Sequence, residues 1–347
     1  MKVAVAVSGG MDSLLSLVLM KEQGFDVMAV HGHFLPPSPA WGEVTSGLTA
    51  VCEKLDVPFH ALDLHEVFDR EVIAPFVTAY KAGLTPNPCA MCNPRMKFGI
   101  LFDAVRSLGA DEIATGHYVR MEERGELGRM LVRGADSSKD QSYFLSLVPS
   151  DTLRRAHFPL AEIFKKDVMG LLGKYGLEPP IPRESQEICF VPDDDYQAFL
   201  LSRGKMGGKG PAVLSDGTKV GTHKGLWRHT QGQRRGLGIA WKEALYVLDK
   251  DVSRNTLIVG TKEELASKGC IAAQVNCMAD PAEWPETVMI QTRYRQKAKP
   301  GTVALKDDKL VINFLESHSR PTPGQIAAVY TEDGVVLGGG VIESPIL

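Results

Sequence analysis

A glycine turn flanked by hydroxyl and carboxylate side chains follows the first apolar segment of the chain, in the order Ser8-Gly9-Gly10-Met11-Asp12-Ser13. The preceding residues, Val3 to Val7, are typical of a strand that is buried on both faces. Glycines let the backbone bend close to a ligand, and the N–H groups at the start of the next helix are placed to bind a phosphate. The turn lacks the lysine of a Walker loop and the three spaced glycines of a dinucleotide fingerprint. It therefore predicts a different kind of nucleotide loop, with an ordinary strand-to-helix turn as the alternative.

Three cysteines lie in polar, proline-flanked segments that differ from core sequence. Cys89 and Cys92 form a Cys-x-x-Cys pair within Thr85 to Asn93, which we expect to be a proline-stiffened loop, and Cys189 lies within Glu184 to Pro192. Such a pair alone is consistent with a redox dithiol, half of a metal site or chance, and no second pair completes a zinc site. One interpretation joins the two segments: a cysteine that carries sulfur and a remote cysteine that resolves the product. That chemistry needs a thiolate, which a helix N-terminus or a basic neighbour favours.

The composition is that of an ordinary globular chain with enough apolar residues for two or three domains: 347 residues, 44% hydrophobic and 23% charged. Six scattered cysteines are too few for a disulfide scaffold in a chain of this length. No apolar run reaches the roughly 18 residues of a membrane span, and the N-terminus lacks the regions of a signal peptide. We expect a cytoplasmic protein that does not enter a membrane.

Positive charge is concentrated in the middle of the chain, although the net charge is −3. Residues 201–242 contain nine lysines and arginines and one acid, which gives this basic stretch a charge of +8 and leaves −11 for the remainder. A local basic surface binds a polyanion even when the whole molecule is acidic. The stretch therefore predicts a nucleic-acid contact, with a solvated surface as the alternative.

The order of apolar segments predicts the fold that positions these residues. Strand and helix signals alternate over the first 120 residues, which indicates an α/β domain with a doubly wound parallel sheet whose ligands lie at the carboxyl ends of the strands. Alternating runs from Ile271 onward indicate a small antiparallel barrel. We expect a catalytic domain over 1–200, a basic connecting domain over 201–268 and a barrel over 269–347.

Seven sequence strings, in this order, resemble those of the bacterial tRNA-specific 2-thiouridylases, the MnmA/TrmU family of PP-loop ATP pyrophosphatases. The resemblance spans nearly the whole chain. The strings are SGGMDS (8–13), TPNPCAMCNPRMKF (85–98), ATGHY (114–118), KDQSYFL (139–145), SQEICF (185–190), GQRRGLGI (232–239) and RYR (293–295).

The resemblance implies that ATP adenylates the 2-oxygen of the wobble uridine and that a cysteine persulfide supplies the sulfur that displaces AMP. It implies Cys189 as the persulfide cysteine and Cys92 as its catalytic partner, which forms a disulfide with it during turnover. Mg²⁺ is the expected companion of the triphosphate. The implied ATP contacts are Ala6, Val7, Ser8, Gly9, Gly10, Met11, Asp12, Ser13, Gly32 and Gly116. The implied contacts with tRNA or its target base are Asn87, Pro88, Cys89, His117, Lys139, Asp140, Gln141, Arg293, Tyr294 and Gln325.

The sequence departs from the family after the second strand, where Gly32 stands at a position that relatives usually fill with methionine and a longer acidic insertion is missing. That difference bears on the adenine contact and on docking of the expected partner, a persulfide-donating sulfur carrier or cysteine desulfurase. Three alternatives stay open. Cys89, Cys92 and Cys189 are also consistent with ligands of an iron–sulfur cluster, and the loop is consistent with an enzyme of small metabolites or with a non-catalytic RNA-binding relative.

Overall fold

The structure is a computed structural model that describes residues 1–181 and 188–347. Its α-helices are α1 (Met11–Glu22), α2 (Pro39–Lys54), α3 (His65–Phe68), α4 (Ala74–Lys81), α5 (Pro88–Cys92), α6 (Leu101–Ser107), α7 (Ser142–Leu145), α8 (Ser150–Leu153), α9 (Val168–Lys174) and α10 (Tyr196–Ser202). Its strands are β1 (Lys2–Ala6), β2 (Asp26–His33), β3 (Phe59–Asp63), β4 (Glu112–Ala114), β5 (Val119–Glu123), β6 (Arg129–Arg133), β7 (Ala156–His157), β8 (Gly210–Val213), β9 (Lys219–His223), β10 (Tyr246–Asp251), β11 (Thr256–Gly260), β12 (Ala266–Cys277), β13 (Val288–Gln291), β14 (Lys299–Lys306), β15 (Lys309–Ser319), β16 (Ile326–Tyr330) and β17 (Val336–Ile346).

The chain divides into two compact units. The first unit comprises residues 1–72, 89–188 and 333–336, and the second comprises residues 73–88, 189–332 and 337–347. The expected three-domain boundaries at 200 and 268 stay a prediction. Among the described residues, no helix is long and apolar enough to cross a membrane.

The first unit is built on a five-stranded sheet in the order β3-β2-β1-β4-β7, with parallel pairing throughout. Val3, Ala4 and Val5 of the central strand β1 are fully buried, because helices cover both faces of such a sheet. Val3 and Val5 pack with Leu17 of α1 and Leu48 of α2. The predicted doubly wound parallel sheet is confirmed, and the loop after β1 lies at its carboxyl edge.

The second unit contains a four-stranded sheet, β10-β11-β8-β9, and a closed six-stranded barrel, β12-β15-β14-β13-β16-β17. Ile290, Ile312, Val329 and Ile342 meet in the barrel core, where alternate residues of each strand point inward. The predicted C-terminal antiparallel barrel is confirmed. The structure adds β12, a twelve-residue strand whose first half was not expected, and the β5–β6 hairpin of the first unit.

Candidate active site

The glycine turn is held in shape by the hydroxyls at its two ends. The Ser8 backbone N–H donates to Ser13 Oγ at 3.0 Å, and the two serine hydroxyls lie 3.1 Å apart. Ser13 Oγ donates in turn to the carbonyl of Gly10 at 2.9 Å. Gly9 has φ +88°, a left-handed conformation that favours glycine. Residues 8–13 therefore form one preorganised loop that leads into α1.

Gly116 follows β4, the strand beside β1 in the sheet, and lies against this loop. A Cβ atom on Gly116 would lie 3.0 Å from both the Asp12 carbonyl carbon and the Ser13 nitrogen. The neighbouring atoms are backbone, which cannot rotate away. The structure thus brings together the loop and the glycine that the sequence placed in one nucleotide site.

Two side chains from distant parts of the first unit bind the carboxylate of Asp12. Tyr118 Oη donates to Asp12 Oδ1 at 2.6 Å, and Lys165 Nζ lies 2.7 Å and 2.6 Å from the two carboxylate oxygens. The Lys165 side chain is 12% exposed, so this is an ion pair largely withdrawn from water. Lys165 places a cation beside a turn that lacks the Walker lysine. Sequence reasoning missed it, because no motif joins a lysine to a loop 153 residues earlier.

Gly32 lies near the end of β2, two residues past the partner of Ala6 in the adjacent strand. A Cβ there would approach Phe34 Cε1 to 3.0 Å. The flanking His31 and His33 are buried, with His31 Nδ1 2.7 Å from the Val7 carbonyl and the His33 ring stacked on Trp41. Burial lowers the pKa of both imidazoles, which keeps them neutral packing residues at neutral pH.

Cys89 and Cys92 lie on helix α5, which corrects the expectation of a loop. Pro88 is its first residue, a position where proline is favoured because no N–H is needed there. Cys89 is exposed and Cys92 is half-buried. The protein that surrounds Cys89 raises the pKa of its thiol although the side chain reaches solvent, and the charge of Lys97 opposes that rise. Asn87, in the second unit, is buried and donates its N–H to the Gly324 carbonyl at 3.2 Å.

Cys189 belongs to the second unit and is exposed. The next residue, Phe190, is buried; its ring makes an edge contact with Phe76 at 5.1 Å and lies tilted against Phe199 at 5.4 Å between ring centroids. This aromatic anchor fixes the chain immediately after the cysteine. Residues 185–187 of the SQEICF string lie outside the described residues.

The other three cysteines are Cys52, Cys270 and Cys277. Cys52 packs in the core of the first unit and Cys270 in the barrel core, so both are packing residues. Burial raises the pKa of the Cys52 thiol to about 11 and that of the Cys270 thiol to about 12, so neither forms a thiolate at neutral pH. Cys277 is half-buried at the end of β12.

Of the neighbouring residues Lys139, Asp140 and Gln141, all expected to contact tRNA, Asp140 is buried, which corrects the expectation of three exposed side chains. Asp140 is 8% exposed; its carboxylate accepts from the Gly134 N–H, Ser142 and Arg133. These bonds show a carboxylate that shapes the loop. Lys139 and Gln141 are partly exposed.

His117 is also buried, and its environment defines its tautomer. Nε2 lies 3.3 Å from Lys97 Nζ, which only donates, so Nε2 accepts and Nδ1–H donates to Thr115 Oγ1 at 2.8 Å. Burial lowers the pKa of His117 well below its usual range, and the Lys97 charge lowers it further. A neutral, buried ring is better suited to holding neighbouring residues in place than to contacting a phosphate.

The barrel residues proposed to contact tRNA lie in the second unit. Arg293 is exposed, and its Nη2 donates to the Gln231 carbonyl and to Thr322 Oγ1, each at 2.6 Å. Tyr294 is partly exposed, with the Arg295 guanidinium 5.8 Å from its ring. Gln325 Nε2 donates to the Thr85 carbonyl at 2.9 Å. The last bond ties the barrel to the segment that leads into α5.

Most side chains of the basic stretch are exposed, as a polyanion contact requires. The exposed members are Arg203, Lys205, Lys209, Lys219, Lys224, Arg234, Arg235 and Lys242. Arg228 differs: its guanidinium lies 4.2 Å from the Trp227 ring centroid and donates to Gln197, so it serves the fold.

The part of the chain that the structure describes contains no assembled set of metal ligands. No group of three or more histidine, cysteine, aspartate or glutamate side chains there is placed to hold a metal ion. Cys89 and Cys92 lie in the first unit and Cys189 in the second, and an iron–sulfur cluster on these three cysteines stays an alternative.

Family models match the chain in three consecutive parts. A model of the tRNA methyl transferase HUP domain matches residues 1–193, one of the tRNA methyl transferase PRC-barrel domain matches 197–261, and one of the aminomethyltransferase beta-barrel domain matches 267–342. The tRNA-specific 2-thiouridylase MnmA of Nitratidesulfovibrio vulgaris is 51% identical over 100% of both chains. That of Oleidesulfovibrio alaskensis is 50% identical over 99% of both.

Among solved structures, the U34-tRNA thiolase NcsA from Methanococcus maripaludis with its [4Fe-4S] cluster is 17% identical, with a TM-score of 0.34. The match covers 58% of this chain and 64% of that one.

Proposed function

The chain belongs to the MnmA family of tRNA-specific 2-thiouridylases, and from that premise we propose how its residues thiolate a tRNA uridine. The reaction is that of a tRNA-uridine 2-sulfurtransferase that uses ATP. The observation that supports the proposal most strongly is the preorganised loop at residues 8–13, with Gly116 against its backbone and Lys165 on Asp12. We take the nucleotide substrate to be ATP with its Mg²⁺ and the target to be the wobble uridine.

In the activation step, the uridine 2-oxygen attacks the α-phosphorus of ATP and the bond to the β-phosphate breaks, which releases pyrophosphate. Backbone N–H groups at the start of α1 stabilise the phosphate charge, and Lys165 adds a cation beside them. The segment 87–89 positions the target base, which must leave its stack to reach the loop. Arg293, Tyr294 and Gln325 hold the surrounding tRNA.

In the transfer step, the terminal sulfur of a persulfide on Cys189 attacks C2, and AMP leaves with the former 2-oxygen. The Cys92 thiolate then attacks Cys189 Sγ, the bond between Sγ and the transferred sulfur breaks, and 2-thiouridine is released. The two cysteines are oxidised to a disulfide while the transferred sulfur is reduced. A thiol reductant restores them, and a persulfide-bearing carrier or cysteine desulfurase reloads Cys189.

Gly116→Ala is expected to weaken binding of ATP by roughly tenfold or more, since overpacking against fixed backbone costs about 1–3 kcal/mol. The measurement is titration calorimetry with a non-cleavable ATP analogue. Gly170→Ala is the matched control, because a Cβ there meets nothing within 4 Å and the residue lies in α9. Equal analogue affinity for Gly116→Ala and the wild type would contradict the placement of Gly116 at the nucleotide.

Replacing Lys205, Lys209, Arg234 and Arg235 with alanine is expected to weaken tRNA binding and to flatten its salt dependence. Each lost phosphate contact removes about 0.7–0.9 from the slope of log K against log salt. The dissociation constant is measured from 50 to 300 mM salt, roughly the range over which such slopes are resolved. Alanine at Lys174, Lys262, Lys268 and Lys306 is the control with the same change in charge. Equal slopes for wild type and the first variant would show that the basic stretch is a solvated surface.

A further inference from the structure

Segment 136–141 is hydrogen-bonded to both residues that contact Asp12, Lys165 and Tyr118. The first of these connections is to Lys165. Asp136 Oδ2 accepts the backbone N–H of Lys165 at 3.0 Å, while Oδ1 accepts the N–H and the hydroxyl of Ser138 at 3.1 Å and 2.6 Å. The Asp136 carbonyl accepts the N–H of Lys139 at 3.0 Å. The Ser138 hydroxyl, and then the Lys165 N–H, hold the pKa of Asp136 below its usual range, so the carboxylate is ionised at neutral pH.

Two hydrogen bonds join the other end of the segment, Gln141, to Tyr118. The Tyr118 N–H donates to Gln141 Oε1 at 3.0 Å, and the Gln141 N–H donates to the Tyr118 carbonyl at 3.1 Å. Tyr118 Oη is the donor that reaches Asp12 at 2.6 Å. Two bonds thus fix the backbone of the residue whose side chain holds the loop carboxylate.

The middle of the segment is rigid as well. Asp140 Oδ1 accepts the N–H groups of Gly134 and Ser142 at 3.0 Å and 3.2 Å, and Oδ2 accepts from Ser142 Oγ at 2.8 Å and Arg133 at 2.7 Å. These bonds link the turn into one hydrogen-bond network, through which a displacement at Lys139 or Gln141 reaches both ends of the segment.

We propose that Asp136 and Gln141 are positioning residues that couple tRNA binding at segment 136–141 to the affinity of the loop at residues 8–13 for ATP. The inference rests on the proposed function, because it takes Lys139 and Gln141 as part of the tRNA contact. A tRNA seated there fixes Tyr118 and Lys165 in the arrangement that places Asp12 for the nucleotide. Coupling of this kind is reciprocal: tRNA tightens ATP by the factor by which ATP tightens tRNA.

The test measures that factor with a non-cleavable ATP analogue and unmodified substrate tRNA, each titrated with and without the other at saturation. In the wild type, tRNA is expected to lower the dissociation constant of the analogue by roughly tenfold, within the usual range of such couplings, and the reverse titration gives the same factor. In Asp136→Ala and in Gln141→Met the factor falls to about 1–2. Ser137→Ala, an exposed change in the same turn, keeps the wild-type factor.

Gln141→Glu supplies a second comparison that does not depend on the fold of the Asp136 variant. Its carboxylate oxygen still accepts from the Tyr118 N–H, so coupling persists there while Gln141→Met loses it. A coupling factor of 1 in the wild type, or equal factors in the wild type and both loss variants, would overturn the inference. Thiolation of the same tRNA by the wild type is assayed in parallel: thiolation without coupling refutes this inference alone, and absence of thiolation refutes the proposed function.

Discussion

Cys189→Ser is expected to abolish tRNA thiolation, by roughly 10³-fold or more, while tRNA-dependent release of pyrophosphate continues. A serine hydroxyl cannot carry a persulfide, whereas activation of the uridine oxygen does not need the thiol. The measurements are 2-thiouridine by mass spectrometry of nucleosides and pyrophosphate by a coupled assay. Cys277→Ser, a half-buried cysteine of the barrel, is the control and keeps full activity.

Cys92→Ser separates the two cysteine roles. Without the attacking thiolate, the product stays bound to Cys189 Sγ through a disulfide, so a covalent tRNA–protein adduct accumulates. Added thiol reductant cleaves this adduct and restores turnover in Cys92→Ser but not in Cys189→Ser. Thiolation by Cys189→Ser at the wild-type rate would contradict the assignment of the persulfide.

Cys89→Ser distinguishes the persulfide mechanism from an iron–sulfur mechanism. Cys89 is exposed on α5, and the persulfide steps give it no covalent role, so metal-free Cys89→Ser is expected to retain most of its thiolation activity. The protein is purified anaerobically and assayed with a persulfide donor, before and after reconstitution with iron and sulfide. Activity confined to the reconstituted form and lost in Cys89→Ser would establish the cluster instead.

Asp12→Ala is expected to lower tRNA-dependent pyrophosphate release by roughly 10²–10³-fold while tRNA affinity stays within about twofold of the wild type. The substitution removes the partner of both Lys165 and Tyr118 and leaves a buried ammonium without its carboxylate. Ser13→Ala is expected to act in the same direction, because Ser13 Oγ closes the loop onto Ser8 and Gly10.

Asp167→Ala controls for loss of a carboxylate near Lys165, since Asp167 is exposed two residues further along the chain. Lys165→Ala tests the missed cation directly and is expected to match Asp12→Ala in pyrophosphate release. Unchanged pyrophosphate release in Asp12→Ala or Ser13→Ala at saturating tRNA would contradict the placement of the loop at the phosphates.

The sequence was sufficient to predict the features that depend on local order. The strand β1 and the turn that follows it were predicted because strand burial and glycine conformation are properties of neighbouring residues, whereas Gly116 was named through the family resemblance. The barrel was predicted from alternation in segments such as Leu310 to Phe314, although β12 began earlier than expected because Gly269 and Ser267 interrupt its apolar pattern.

Features that depend on contacts between distant residues were missed. Lys165 lies in a short polar segment, and its pairing with Asp12 is set by the sheet and by Asp136. Asp140 was expected at the surface because aspartate is rarely buried, but four bonds from its neighbours offset the cost of burial. Pro88 was taken to stiffen a loop, whereas it begins a helix.

The central claim is that this chain makes 2-thiouridine in tRNA from ATP and a persulfide. The most direct measurement incubates the purified protein with unmodified tRNA, ATP, Mg²⁺, a persulfide donor and a thiol reductant, and then analyses the tRNA nucleosides by mass spectrometry. We expect 2-thiouridine at the wobble position, dependent on ATP and on Cys189, with one AMP and one pyrophosphate formed for each sulfur transferred. Nuclease mapping of the tRNA that finds no 2-thiouridine, while the same reagents with a MnmA of known activity produce it, would contradict the claim.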